Sequence, residues 1–270
     1  MTYELPAAPL SIGGVIDSAI RLYRDSLRRS WVLALLYSVI MGIFGVFWAL
    51  ALTKAVVPGS KDPRQMIAAL ASPALWGGFA LAMLISLVFY GGLVRMVSAW
   101  AKGDETLSLG SALAVGARRV PAMVLGSLLY VLAIGIGLVL LVVPGIYVFG
   151  KFQLWMTAIF MDDAGAVEGL GISWRLTRGR WWRGTIILSV ALVILYVFAL
   201  ALGLVSGLIT ALSHLSLTDR TIVSQLLGVV SNMVVLPMFV SILIVMYHDF
   251  KLRSVASGGA LPASRRKSSR

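Results

Sequence analysis

The 270-residue chain contains no cysteine. That excludes disulfides, thiolate nucleophiles and cysteine-held metals, and leaves the redox compartment open. Charge is also scarce. Asp, Glu, Lys and Arg make up 13% of the residues, against roughly 25% in soluble domains. Acids are the scarcer sign, 11 against 23 Lys and Arg, for a formal net charge of +12. Histidine occurs twice, at His214 and His248. Hydrolytic chemistry needs a nucleophile with a base, paired carboxylates or a metal, and few residues here can supply them.

The chain is rich in uncharged apolar sequence. Hydrophobic residues make up 59%, and stretches free of Asp, Glu, Lys and Arg cover 30–53, 65–94, 120–150, 184–218 and 221–248. Each exceeds the roughly 20 residues with which a helix crosses the hydrocarbon core. The expected fold is all-α: a polytopic helical membrane protein with six transmembrane helices, near 31–52, 74–100, 121–143, 146–161, 183–210 and 222–247. The fourth is the shortest. It begins after Pro144-Gly145, a turn signal, and contains Lys151. The N-terminus has no basic region leading into a short apolar core, so the first span is expected to stay as a membrane anchor.

Charge distribution sets the orientation. With six spans and both termini cytoplasmic, 18 of the 23 basic residues lie inside, and Lys54, Lys61, Arg64, Lys151 and Arg220 lie outside. If 146–161 did not cross, Arg175, Arg178, Arg180 and Arg183 would face outward, against the positive-inside rule. The basic balance therefore points to a membrane and not to nucleic acid. Trp174, Trp181 and Trp182, set among those arginines, are expected as interface anchors, because indole has an apolar body and one hydrogen-bond donor.

Three spans follow stretches of amphipathic period. In 11–31, Ile12, Val15, Ile16, Ala19 and Tyr23 share one face, and Asp17, Arg21, Arg24 and Arg28 another. In 108–121, Leu109, Ala112, Leu113 and Gly116 repeat the pattern before Arg118-Arg119. In 162–179, Val167, Leu170, Gly171 and Trp174 do so, with Arg175 and Arg178 a turn apart and Asp162 or Asp163 able to cap the helix start. Such helices lie in the interface with their basic side toward headgroups. Arg21-Leu-Tyr-Arg24 and Arg175-Leu-Thr-Arg178 share the form R-L-x-R. The layout is thus three interfacial helices, each followed by two spans, a possible threefold internal repeat. A single membrane domain would cover 1–252, and a Gly/Ser-rich basic tail, 253–270, would be disordered.

The run VVPGIYV (142–148), a short span, an acidic pair, ISWRLTRGRWWR (172–183) and YHDFKLR (247–253) together resemble a known family. It is the membrane domain attached to some bacterial glycerophosphoryl diester phosphodiesterases, with related stand-alone inner-membrane proteins of uncharacterised function. The likeness covers most of the chain, including IGGVIDSAIRLYR near the start. It implies a helical membrane domain in the bacterial inner membrane. It does not bring the phosphodiesterase activity, since that barrel needs roughly 250 residues of its own.

Candidate chemistry is correspondingly thin. His214 and His248 are expected on opposite membrane faces. His248 and Asp249 are adjacent in a helix, so their side chains diverge. Asp162, Asp163 and Glu168 form the one carboxylate cluster, read as capping and solvation, with a cation site or pairing to Arg175 or Arg178 as alternatives. Gly203-Leu-Val-Ser206-Gly207 only loosely resembles an intramembrane-protease serine motif. Arg95 and Lys151 are read as snorkelling, inward and outward respectively, and Gln225 and Asn232 as hydrogen bonding between helices. No enzyme activity, metal or cofactor is expected. The leading reading is a protein that engages membrane phospholipids. Its headgroup ligands would be Arg21, Arg24, Arg118, Arg119, Arg175 and Arg178, because the guanidinium fork matches phosphate. A transporter or permease component, and an accessory domain to a lipid-metabolising enzyme, are the alternatives.

Overall fold

The computed structural model describes residues 3–55, 64, 67, 71–212 and 216–256. Among these the chain is helical, with α1 Ile12–Ala55, α2 Pro73–Ala101, α3 Leu109–Leu140, α4 Val142–Phe152, α5 Trp155–Met161, α6 Ala166–Leu176, α7 Trp181–Leu212 and α8 Leu217–Ala256. Six helices are long and apolar enough to cross a membrane, α4 and α5 counting together as one over Val142–Met161. Lys61 and His214 lie outside the described residues, as do 257–270 of the basic tail. The expected tail boundary at 253 is corrected, because α8 runs on to Ala256 and Arg253 is engaged within the fold.

α1 has 44 residues, about 66 Å at 1.5 Å per residue. The first amphipathic stretch is therefore not a separate surface helix. It continues without a break into the first span. Its apolar seam, Val15, Ile16, Ala19 and Leu22, is buried in the protein's own core, and α8 is the helix α1 packs against most extensively. A small-residue stripe continues the seam through Ser26, Ser30, Ala34 and Ser38 to Gly42 and Gly45. There α8 comes so close that a Cβ on Gly45 would stand 2.6 Å from the Gln225 amide oxygen. Small residues let helices approach in lipid, where no hydrophobic effect drives them together.

The second amphipathic stretch is likewise the start of α3, with Pro121 inside that helix. Ala112 and Gly116 are buried against α2. A Cβ on Gly116 would stand 2.4 Å from the Val88 carbonyl oxygen, so the crossing is backbone on backbone and requires glycine. Only the third stretch is a helix of its own, α6. Its buried residues are Ala166, Gly169, Leu170, Ile172, Ser173 and Leu176, which keep Leu170 of the expected face and otherwise lie beside it. Val167 and Trp174 of the expected face are exposed.

α3 and α4 form a hairpin whose turn is a single extended residue, Leu141. The backbones touch at Gly137 and Gly145. Along the hairpin Tyr130 meets Phe149, Phe152 and Trp155. Further along, the Trp155 ring lies against Gly126, where a Cβ would stand 2.2 Å from it.

Candidate functional site

The fourth apolar stretch is not one continuous helix. It breaks between Phe152 and Trp155, and a break frees backbone groups that water cannot reach in a membrane protein. α6 supplies their partners. The Ser173 hydroxyl donates to the Lys151 carbonyl at 2.9 Å and accepts from the Leu154 N–H at 3.1 Å. The Thr177 hydroxyl also reaches the Lys151 carbonyl, at 3.1 Å. Ser173 and Thr177 lie four residues apart and so share a face of α6. This gives S-W-R-L-T a physical reason: its Ser and Thr close the broken helix.

Lys151 is placed by the same contacts, and the expectation that it snorkels outward is corrected. It is only 3% exposed. Its ammonium donates to the Thr177 carbonyl at 3.4 Å and lies 5.3 Å from the Tyr147 ring centroid and 5.1 Å from that of Trp174. Cation–π attraction strengthens as the cation is desolvated. Trp181 Nε1 donates to the Tyr147 carbonyl at 3.0 Å. Lys151 thus faces the arginine-rich loop.

Beside this cage lies a buried carboxylate. Asp249 is 2% exposed. One oxygen accepts from the Leu10 N–H at 2.8 Å. The other accepts from Arg183 at 3.1 and 3.2 Å and from Arg253 Nε at 3.0 Å. Both guanidiniums also donate to the Leu10 carbonyl, at 2.5 and 2.6 Å. Arg180 donates to the Arg253 carbonyl at 2.8 Å. The N-terminal segment is tied down further by His248 Nε2 with the Pro6 carbonyl (2.9 Å) and by Tyr3 with Ser18 (2.8 Å). His248 and Asp249 do diverge to different partners.

A second network joins α2, α3, α5 and α8. Asp162 accepts from Lys251 at 2.7 and 2.9 Å and from the Tyr247 hydroxyl at 2.7 Å. Arg119 pairs with Asp163 at 2.8 Å, and Lys102 donates to the Met161 carbonyl at 2.7 Å. The cap assignment of Asp162 or Asp163 is corrected, since both are taken by cations. α6 starts instead at Gly165, whose N–H is met by Glu168 at 3.4 Å. The pairing alternative is corrected in its partners, which are Lys251 and Arg119 rather than Arg175 and Arg178. Burial, then the nearby Arg95, hold the Lys102 ammonium below its ordinary pKa, against the opposing pull of Asp162 and Asp163.

The six arginines singled out from sequence are not gathered at one point. Arg21 is exposed and pairs with Asp17 one turn earlier. Arg24, Arg118, Arg175 and Arg178 are exposed, and Arg119 is held by Asp163. Trp174 and Trp182 are exposed. Trp181 packs edge-on against Trp182 at 4.6 Å. The cations that the fold does bring together are Lys151, Arg180, Arg183 and Arg253, around a groove of about 870 Å³. Asp249, the one acid of YHDFKLR, was the available signal, because a carboxylate ending an apolar helix needs cations. Among the described residues, no three His, Asp or Glu side chains cluster as a metal site would.

The layout is that of a multi-pass helical membrane protein. The family described as Domain of unknown function (DUF7847) matches residues 105–250, more than half of the chain, and the chain belongs to that family. No curated protein and no solved structure matches it.

Proposed function

We propose that this chain is a non-enzymatic protein of the bacterial inner membrane that engages phospholipids, with both termini cytoplasmic. The observation that carries the reading is the concentration of cations and indoles where α7 begins and α8 finishes. Trp174, Trp181 and Trp182 are placed there among Lys151, Arg180, Arg183 and Arg253. Arginine and lysine favour the anionic cytoplasmic leaflet, and indole favours the headgroup level. Exposed Arg175 and Arg178, with exposed Trp174 beside them, are the collar residues through which bulk headgroups bind. Arg21, Arg24 and Arg118, also exposed, extend that collar.

The test is ligand-linked stability. A phospholipid that binds only the folded chain raises its unfolding temperature by mass action. In a neutral detergent, added phosphatidylglycerol is expected to stabilise the protein more than phosphatidylcholine, and Arg175→Gln/Arg178→Gln is expected to reduce the difference. Equal stabilisation by both lipids, unchanged in the variant, would contradict the reading.

One observation favours a second reading, a transporter component. The broken helix α4–α5, with its freed backbone groups held by Ser173 and Thr177, is a feature of helices that line substrate paths. Solute flux in proteoliposomes that is lost in Ser173→Ala would favour it. The resemblance to phosphodiesterase membrane domains supports a third reading, an accessory to a lipid-metabolising enzyme, which co-purification of such an enzyme would test.

A further inference from the structure

We infer that the groove between the start of α4 and the first turn of α7 is a discrete site for one anionic phospholipid, with its phosphate between Lys151 and Arg180 and its acyl part against Val143, Ile146 and Trp182. This rests on the phospholipid reading above and narrows it from a diffuse collar to a built site.

Charge complementarity carries the inference. Lys151, Arg180, Arg183 and Arg253 line the groove, and no acid does. The adjacent carboxylate, Asp249, is occupied by Arg183 and Arg253 together. Lys151 has no carboxylate partner among the described residues, only a long bond to a carbonyl and two aromatic faces. A lysine that is only 3% exposed and lines the groove gains most from an anion placed there. The first N–H groups of a helix lack intrahelical acceptors and carry its positive end. Those of the 32-residue α7 belong to Trp181, Trp182 and Arg183, with no acid in that turn. All three residues line the groove, so the positive end of α7 adds to the charge of its cations.

The remaining walls are apolar. Val143 and Ile146 are 75% and 51% exposed, and Trp182 is 71% exposed. An inorganic anion would leave those walls bare, and a neutral amphiphile would leave the cations without a counter-charge. An amphiphile with an anionic phosphate satisfies both. The volume suits a single ligand, since small-molecule sites run to about 300–1,000 Å³.

The experiment uses the full chain in neutral detergent and native mass spectrometry with short-chain phosphatidylglycerol, short-chain phosphatidylcholine and inorganic phosphate as probes. The expected result is one phosphatidylglycerol per chain, bound at least ten-fold more tightly than the other two. Lys151→Met, which fits the aromatic cage, and the exposed Trp182→Ala are each expected to weaken it about ten-fold. Arg175→Gln/Arg178→Gln is expected to leave the one-to-one complex intact while reducing additional, weaker binding. Phosphate binding as tightly as phosphatidylglycerol would overturn the amphiphile, and equal binding of the two lipids would overturn the anion. Unchanged binding in both groove variants, with loss in the arginine pair, would refute the groove and leave the collar. No effect of any variant would remove both.

Discussion

Replacing Asp249 should be the most damaging single change at the loop end of the fold. Its carboxylate compensates Arg183 and Arg253 and receives the Leu10 N–H. The arginine side chains are 19% and 29% exposed, and the carboxylate 1%. Removing one partner of a fully buried pair costs about 3–5 kcal/mol. Partial hydration of the guanidiniums lowers this, so Asp249→Ala is expected to cost about 2–4 kcal/mol. Asp249→Asn keeps an acceptor for Leu10 and should recover about 1 kcal/mol of that, the worth of one hydrogen bond. At about 2–4 °C per kcal/mol for a chain of this size, the alanine variant should unfold about 5–15 °C lower. The loss has a local signature as well. Residues 3–10 are held through Leu10, Pro6 and Tyr3, so limited proteolysis should cut the N-terminal segment in the variant faster than in the parent. An unchanged unfolding temperature with unchanged N-terminal cleavage would refute the hub.

Other expectations concern packing and protonation. Gly116→Ala drives a Cβ into the Val88 carbonyl and should cost at least about 1–3 kcal/mol. Gly135→Ala, with nothing within 4 Å, should instead stabilise α3 by up to about 1 kcal/mol; thermal unfolding of the pair separates the two effects. Ser173→Ala/Thr177→Val leaves the Lys151 carbonyl and the Leu154 N–H without partners, costing about 1–3 kcal/mol for each group, read as faster hydrogen exchange at 151–155. Lys102 has a lowered folded pKa. Between that value and the ordinary lysine value the unfolded chain binds more protons, so this residue's contribution to stability rises with pH through that window. Unfolding followed from pH 7 to 10 should show that rise, and Lys102→Met should remove it.

The spans were legible because charge-free stretches of sufficient length have few alternatives. The amphipathic stretches were legible as helix but not as location. Period 3.6 says that one face is apolar, and it does not say whether lipid or protein covers that face. Val15, Ile16, Ala19 and Leu22 turned out to be covered by protein. At α6 the expected face held at Leu170 but missed Ala166, Gly169 and Ser173, which are weak in hydrophobicity yet small enough for close approach. Reading Lys151 as a snorkelling cation failed because hydropathy does not register two aromatic rings and a broken helix around it. Arg183 and Asp249 are 66 residues apart, and only the return of α8 to the start of α7 makes them partners. Arg24, Arg118, Arg175 and Arg178 are exposed, whereas the cations that the fold gathers, Arg180, Arg183 and Arg253 with Lys151, were not distinguishable from them in the sequence.

The most direct test of phospholipid engagement is to extract the protein from its own membrane in a polymer belt and compare its lipids with those of the surrounding bilayer by mass spectrometry. Enrichment of one anionic phospholipid is expected, at about one tightly held molecule per chain, and it should be lost in Lys151→Met. A lipid profile equal to that of the bulk membrane, in parent and variant alike, would contradict it.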